Sequence, residues 1–204
     1  MNGLLGISFR WIKTMDKEIE GNILLEYKNR VLRPLERKNL KKLMDFRNQQ
    51  MDILRQNRPL NENDQEKWFE KISKDKTQIM FEILLKDDDD FIGCCGLTYI
   101  DYDNHRAELS FIVDPVRARD DKLYKEDFIA VLKMLCKYGF EEINLNKIFT
   151  ETYEFRKKHI KILESFGLKY EGKMREHVFV NGKYHDSLLH SILYDEWKNK
   201  GVKR

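Results

Sequence analysis

The sequence predicts an α/β domain built on one mixed, mostly antiparallel sheet with helices packed against it. Stretches that alternate apolar and polar residues are typical of strands, and they are interleaved with stretches whose apolar residues recur at helical spacing. The 204 residues, 41% of them hydrophobic, are enough for one sizeable core. No linker or internal repeat divides the chain. We therefore expect residues 1–25 to be an N-terminal extension and residues 26–204 to be a single domain.

The expected order of elements is β-α-α-β-β-β-α-β-α-β-β. The first strand, VLRPLE, holds a proline and is expected at the sheet edge. Two helices follow, and then a hairpin whose tip is the aspartate run 87–90, an extended NHRAELSFIVD and a long amphipathic helix from about Lys125. The strand KIFTETYEF precedes a short helix that Gly167 ends, and a hairpin turning at Asn181-Gly182 closes the chain.

Bulk properties narrow the class of protein. The net charge of +3 is too small to indicate a nucleic-acid partner, and no apolar run reaches the roughly 20 residues of a membrane span. The three cysteines, Cys94, Cys95 and Cys136, have no metal-ligand spacing. We expect buried, reduced thiols in a cytoplasmic protein with neither a disulfide nor a metal site.

The segment DPVRARDDKLYKEDF, residues 114–128, lies between a predicted strand and the long helix. A strand, a loop and a helix start often bind phosphate, but such loops usually contain glycine, and this one has none. It carries four cations instead: Arg117, Arg119, Lys122 and Lys125. Two interpretations remain open, a phosphate site made of side chains and a solvated loop whose charges pair with one another.

The order of elements, with "LRPLERKNL", "NHRAELSFIVDP", "YGFEEINLNKI" and "LESFGLKYEGKMREHVFVNGKYHDSLLHSIL", resembles the GCN5-related N-acetyltransferase (GNAT) superfamily, in its ribosomal-protein-alanine and spermidine acetyltransferase branch. The resemblance covers about residues 28–197. It implies a sheet splayed between its fourth and fifth strands. It also implies acetyl-CoA as co-substrate in that opening, no metal, and an amine that approaches from the other side.

Three departures from the family pattern stand out. The pyrophosphate motif Q/R-x-x-G-x-G/A is replaced by the longer, glycine-free segment 114–128. Leu163 stands where many members have a tyrosine that protonates the leaving thiolate, and Arg156 stands where an asparagine is usual.

Acyl transfer to an amine needs a base, a polarised carbonyl and an acid for the thiolate. Glu108 is the candidate base, because a carboxylate facing an apolar cleft is more basic than one in water. The alternative is that Glu108 pairs with Arg106 or Lys147. Since Leu163 cannot donate a proton, we expect Tyr153 or His159 to be the acid.

The remaining candidates bind the two substrates. For the donor they are the backbone of Phe111, Ile112 and Val113 along the pantetheine arm, and the side chains of Arg117, Arg119, Lys122, Lys125 and Arg156. For the acceptor they are Arg55, Arg58, Trp68, Arg175, Tyr184 and His185. His185 and Asp186 do not indicate a metal site, because adjacent strand residues point to opposite faces.

The leading hypothesis is an N-acetyltransferase that moves an acetyl group from acetyl-CoA to a primary amine of a small molecule, such as an amino sugar, a polyamine-like or an aminoacyl acceptor. Two alternatives stay open: a GNAT-fold binding module without catalysis, and an acyltransferase whose donor is an acyl carrier protein. Neither nucleic acid nor a membrane is expected as a partner. The exposed strands near the C-terminus could pair two copies into a homodimer.

Overall fold

The computed structural model describes residues 7–12 and 22–200, and these residues contain one nine-stranded sheet in the order β1-β2-β3-β4-β5-β6-β7-β9-β8. The strands are β1 (Ile7–Ile12), β2 (Asn22–Tyr27), β3 (Arg30–Pro34), β4 (Ile79–Leu85), β5 (Phe91–Asp101), β6 (Arg106–Val113), β7 (Lys147–Tyr153), β8 (Lys169–Val180) and β9 (Lys183–Leu193). All neighbours are antiparallel except β6 and β7. The predicted mixed, mostly antiparallel sheet is confirmed.

Helices cover both faces of the sheet. They are α1 (Leu40–Asn48), α2 (Glu62–Ile72), α3 (Pro115–Arg119), α4 (Asp121–Lys137), α5 (Lys157–Phe166) and α6 (Tyr194–Lys200), and a π-helical turn follows α4. Two buried clusters form the core. The larger lies between the sheet and α4 and α5, and the smaller lies under α1 and α2. The sheet therefore lies between two layers of helices, and any ligand must enter between or beside its strands.

The sheet extends further toward the N-terminus than the sequence predicts. The hairpin of β1 and β2 adds two strands, and β2 spans the predicted boundary between residues 25 and 26. The expected edge strand, β3, is consequently an interior strand between β2 and β4. Its proline is tolerated because Pro34 is the last residue of the strand.

The opening that the resemblance implies lies between β6 and β7, which are the fourth and fifth strands of the predicted order. Their parallel register covers only three residues of each strand, from Arg106 opposite Lys147 to Glu108 opposite Phe149. Beyond Glu108 the two strands part, while β6 stays paired with β5 as far as Val113 and β7 stays paired with β9. The later half of β6 thus has one edge facing the opening.

The glycine-free segment is helical rather than a loop. It forms α3 and the first two turns of α4, so α4 begins at Asp121, four residues before the predicted start. Asp114 caps α3 by accepting from the Val116 N–H at 2.7 Å. Asp120 caps α4 in the same way, and the charged residues between them therefore have fixed positions.

Local signals for the ends of elements are confirmed. Gly167 ends α5 in the left-handed conformation, at φ 105°, and its N–H donates to the Leu163 carbonyl. The β8–β9 hairpin turns at Asn181 and Gly182, with φ values of 51° and 78°.

The three cysteines are buried, as predicted, and among the described residues none forms a disulfide. Burial raises the pKa of Cys94 to about 12, so this thiol stays protonated and unreactive.

Candidate active site

An acidic pair lies on the α1–α2 side of the sheet, at the point where β6 and β7 part. Glu108 ends the parallel pairing, and Glu151 lies on β7 two residues beyond Phe149, the partner of Glu108. Both side chains are largely buried, with 12% and 13% of their surface exposed. Two carboxylates so close in a partly dry site need a cation between them.

Arg55 supplies that cation from the connection between α1 and α2. Its Nη2 donates to Glu108 Oε1 at 2.5 Å and to Glu151 Oε2 at 2.8 Å, and its Nη1 donates to Glu108 Oε2 at 3.1 Å. Burial lowers the pKa of Arg55, but the hydrogen bond and charge of Glu108, with the charge of Glu151, outweigh it and raise this pKa above its usual value. Arg55 is therefore held as a cation in the middle of the site. Neither predicted partner of Glu108 contacts it, since Arg106 pairs with Asp101 and Lys147 with Glu171.

Two cavities meet at Arg55. The larger, of about 890 Å³, lies between the α1–α2 connection, the end of β7 and the β8–β9 hairpin, and its lining includes Glu151, Tyr153 and His177. The smaller, of about 180 Å³, lies under α1 and α2 and reaches Trp68 and the Ser110–Ile112 segment of β6. A molecule in the larger cavity would meet Glu151 and Arg55, and Arg55 connects it to Glu108 and to the smaller cavity beside β6.

The predicted acceptor residues divide into two groups. Arg55 and Trp68 line the cavities, and the Trp68 ring packs under the Arg47 guanidinium at 5.2 Å. The other four lie elsewhere: Arg58 pairs with Asp64, Arg175 is exposed on β8, Tyr184 packs on Phe179, and His185 lies 3.6 Å from Glu154.

On the α4–α5 side, an aromatic cluster packs beside the parted strands. Phe111 of β6 stacks on Phe128 at 4.6 Å and meets the edge of Tyr124, and Phe128 stacks on His159 at 4.3 Å. The Tyr124 hydroxyl lies 2.7 Å from His159 Nδ1 and accepts from Arg156 Nη2 at 2.9 Å. These hydrogen bonds connect the first turns of α4 and α5 through side chains. Tyr124 was not predicted as a site residue, although Tyr124 lies one helical turn before Phe128 on the same apolar face.

These contacts fix the protonation of two groups in the cluster. Burial lowers the pKa of His159 well below its usual value, and the charges of Arg156 and His190 lower it further, so His159 is neutral at pH 7. Burial raises the pKa of Tyr124, with a partial opposing effect from Arg156. A neutral imidazole is not an acid for a thiolate.

Tyr153, the other predicted acid, lies at the end of β7. Burial raises its pKa, whereas the charges of Arg55 and Arg156 lower it in part. Tyr153 lines the larger cavity together with Arg55 and Glu151.

The backbone of Phe111, Ile112 and Val113 lies along the open edge of β6, as the resemblance implies. At its far end the Val113 carbonyl accepts from Gln50 Nε2 at 2.8 Å. Gln50 was not predicted, because this buried residue is 63 positions from Val113 in sequence and contacts it only through the tertiary structure.

The cations predicted to bind phosphate differ in how they are used. Arg117 donates to both oxygens of buried Asp127, at 2.7 and 2.9 Å, and Arg30 donates to the same carboxylate at 2.9 Å. Arg119, Lys122 and Lys125 are exposed, and within residues 7–12 and 22–200 no side chain pairs with theirs. Internal pairing thus describes Arg117, and a phosphate-binding role for the other three cations stays a prediction.

The described residues lack two kinds of feature, a metal-ligand cluster and a membrane-spanning helix. They contain no group of three or more His, Cys, Asp or Glu that could hold a metal ion. No helix among them is long and apolar enough to cross a membrane.

Comparison with known proteins gives relatives of one kind. An uncharacterized N-acetyltransferase, p20, of Bacillus licheniformis is 33% identical over 117 residues, which are 57% of this chain and 63% of that protein. The putative ribosomal N-acetyltransferase YdaF of Bacillus subtilis is 29% identical over 55% of this chain and 59% of its own length. The spermidine N(1)-acetyltransferase of Escherichia coli is 26% identical over 52% and 54%. The matches therefore span less than two thirds of these relatives.

Solved structures agree on the fold. The spermidine N-acetyltransferase of Vibrio cholerae, in complex with CoA and spermine, superposes with a TM-score of 0.73 over 84% of this chain and 99% of that one, at 24% identity. The family model described as "Acetyltransferase (GNAT) domain" matches residues 32–189, which hold the sheet from β3 to β9 and both sides of the opening. The chain belongs to the GNAT acetyltransferase family.

Proposed function

We propose that this protein is an N-acetyltransferase that moves an acetyl group from acetyl-CoA to a primary amine of a small, cationic molecule. The observation that carries the proposal is the position of Glu108. It lies where β6 and β7 part, next to an open strand edge, and it shares Arg55 with Glu151, which lines a cavity large enough for an amine. A base, a backbone edge and an acceptor cavity are thus close together, as acyl transfer requires.

The donor fits one half of its expected site. The open edge of β6 offers backbone groups to the amides of a pantetheine arm and an N–H to the thioester carbonyl. Bound there, acetyl-CoA supplies an activated acetyl group. The phosphate half of the site fits less well, because Arg117 and the first N–H groups of α4 already have protein partners.

The acceptor is inferred to be cationic because the lining near the opening is acidic. Glu108 and Glu151 together hold one guanidinium, that of Arg55, and a substrate with two or more ammonium groups can take over these contacts. Polyamines have this chemistry, and the relatives named as spermidine acetyltransferases support it. An anionic acceptor is disfavoured, since Arg55 and Arg58 are both paired with carboxylates.

The proposed reaction is a direct transfer. Glu108 takes the proton of the bound ammonium, the amine nitrogen forms the C–N bond at the acetyl carbon, and the C–S bond breaks. We propose that the thiolate then receives a proton from Tyr153, which lines the larger cavity at the end of β7, because buried His159 is neutral. The attacking nitrogen loses its second proton to solvent as the C–S bond breaks, solvent reprotonates Tyr153, and the proton on Glu108 is released after the product leaves.

A panel of amines tests the proposal. Purified protein is incubated with acetyl-CoA and spermidine, spermine, glucosamine or peptides with a free N-terminal alanine, while free thiol is measured. We expect thiol release with a polyamine and acetylated amine by mass spectrometry. Absence of transfer to every amine at millimolar acetyl-CoA would overturn the proposal.

The packed aromatic cluster and Leu163 favour one other function, a binding module that has lost catalysis. Such a protein would bind a polyamine in calorimetry but would release no thiol in the same assay.

Compartment and assembly complete the proposal. The three buried cysteines, which form no disulfide among the described residues, support a cytosolic protein. β8 is the outer strand of the sheet, twelve residues long and mostly exposed, which supports a homodimer that pairs along this edge. Light scattering after size-exclusion chromatography distinguishes one copy from two, and a charge introduced at Phe179 should dissociate the pair.

A further inference from the structure

The start of α4 is already occupied by a carboxylate of the protein itself. Asp120 Oδ1 accepts from the backbone N–H groups of Lys122 and Leu123, each at 2.9 Å. These N–H groups, at the positive end of a helix, are the ones that would otherwise bind a phosphate. Asp120 both uses these donors and places a negative charge beside them.

Arg117, which could otherwise bind a phosphate, is also paired within the protein. Arg117 forms a two-pronged ion pair with Asp127, which is fully buried and also holds Arg30. The hydrogen bond to Asp127 raises the pKa of Arg117. Turning Arg117 toward a ligand would leave part of a buried charge unpaired, which is strongly unfavourable.

Side chains fill the space between the starts of α4 and α5. Tyr124 and Phe128 project from the first two turns of α4, and Arg156, at the start of α5, donates to the Tyr124 hydroxyl at 2.9 Å. A phosphate approaching the backbone here would meet an aromatic ring and a paired guanidinium. Close approach of a ligand to a helix start needs glycine, which this segment lacks.

The cations that remain are weak substitutes. Arg119, Lys122 and Lys125 are exposed, and they alternate with the acids Asp120, Asp121 and Glu126. The attraction of such exposed cations for a ligand is screened at physiological salt and contributes little.

We infer that the donor is recognised through its pantetheine arm and thioester, and that the adenosine diphosphate part of CoA adds little to binding. The inference rests on the proposed acetyl transfer and names the part of the donor that this site recognises. It follows from the contrast within one opening: the edge of β6 is free for the arm, whereas the phosphate-binding groups beside it are used by the protein. Free CoA and an acyl carrier protein present the same arm, so both are possible sources of the thioester.

The test compares four donors with one polyamine acceptor: acetyl-CoA, acetyl-dephospho-CoA, acetyl-phosphopantetheine and an acetylated acyl carrier protein. We expect kcat/KM for the first three to agree within about threefold, since screened surface charges contribute little. A loss of about 30-fold or more from acetyl-CoA to acetyl-phosphopantetheine would overturn the inference while leaving the proposed function intact, because nucleotide contacts of that size need a built phosphate site. Transfer from no donor would overturn the proposed function instead.

The carrier-protein arm identifies the source. A kcat/KM for the carrier protein well above that for acetyl-phosphopantetheine indicates that the protein docks a carrier. A lower value indicates that the free thioester is the donor. Either result is consistent with a donor whose adenosine diphosphate part adds little to binding.

A gain-of-function variant tests the cause. Asp120→Ala frees the N–H groups of Lys122 and Leu123, so acetyl-CoA should become preferred over acetyl-phosphopantetheine by about fivefold or more. Asp114→Ala is the matched control, because it removes the cap of α3 and leaves α4 unchanged. Thermal melts establish that both variants fold. An unchanged donor ratio in folded Asp120→Ala would show that the cap is not what excludes the phosphates.

Discussion

Arg55 and Glu108 are joined by two hydrogen bonds, at 2.5 and 3.1 Å, across 53 residues of sequence. One guanidinium nitrogen also reaches Glu151, so the arginine occupies the position between the two carboxylates. The relationship joins the α1–α2 connection to the strand that carries the proposed base. It also means that a cationic acceptor competes with a residue of the protein for the same carboxylates.

Glu108→Gln should lower kcat for polyamine acetylation by about 100-fold or more, because general-base catalysis typically contributes that much and the amide cannot take a proton. Steady-state kinetics at saturating acetyl-CoA measure the effect. The matched control is Glu151→Gln, which removes the other carboxylate on Arg55. We expect Glu151→Gln to raise KM and leave kcat nearly unchanged. If both variants alter only KM, Glu108 binds the acceptor and is not its base.

Arg55→Leu should lower KM for a polyamine by about fivefold, since it removes the cation that competes for Glu108 and Glu151. A monoamine, which has one charge, should gain less. Arg58→Leu is the control, because Arg58 pairs with Asp64 on the surface and lines neither cavity. An increase in KM for Arg55→Leu would contradict the prediction and would favour an acceptor that binds Arg55 through an anionic group.

What the sequence could predict here depends on how local the signal is. Gly167 ends α5, and Asn181-Gly182 turns the last hairpin, because backbone conformation at these positions is set by the residues themselves. The family resemblance supplied the opening and the position of Glu108. The partner of Glu108 was not predictable, because Arg55 reaches it only once α1 and α2 have packed on the sheet.

Dependence on tertiary packing also explains why β3 was wrongly expected at the sheet edge and why the contacts of α4 were not predicted. Pro34 correctly marks a strand end, but which strand lies beside β3 depends on the N-terminal hairpin. The charges of Arg117 and Asp127 were visible in the sequence. That they would be buried together with Arg30, 97 residues from Asp127, was not.

Asp127→Asn should destabilise the protein by about 3–5 kcal/mol, because it removes the buried carboxylate from Arg117 and leaves Arg30 with only the more exposed Glu126. Urea denaturation at pH 7 measures the free energy of unfolding. Asp121→Asn is the control: Asp121 is exposed and pairs with Lys158 at the surface, so a change of about 0.5 kcal/mol or less is expected. A loss below about 1 kcal/mol for Asp127→Asn would indicate that solvent reaches the two arginines.

His159 should make the protein sensitive to mild acid. Its pKa in the folded protein is well below the usual 6.5, chiefly because burial penalises the imidazolium, whereas the unfolded chain takes up a proton near the usual value. The stability that neutral His159 contributes is therefore fully present above about pH 6.5 and is lost as the pH falls below it. The loss is at most about 1.4 kcal/mol per pH unit, since one proton is involved.

His159→Phe keeps the ring that stacks on Phe128 and removes the titrating group. Between pH 6.5 and 5.5, the free energy of unfolding of this variant should fall less than that of the wild type, by up to about 1.4 kcal/mol. His105→Gln, which removes an exposed imidazole bonded to the Asn144 carbonyl, is the control and should follow the wild-type curve. Parallel curves for wild type and His159→Phe would mean that His159 is protonated in the folded protein. In that case its bond to Tyr124 would hold a charge, and His159 would again be a candidate acid for the thiolate.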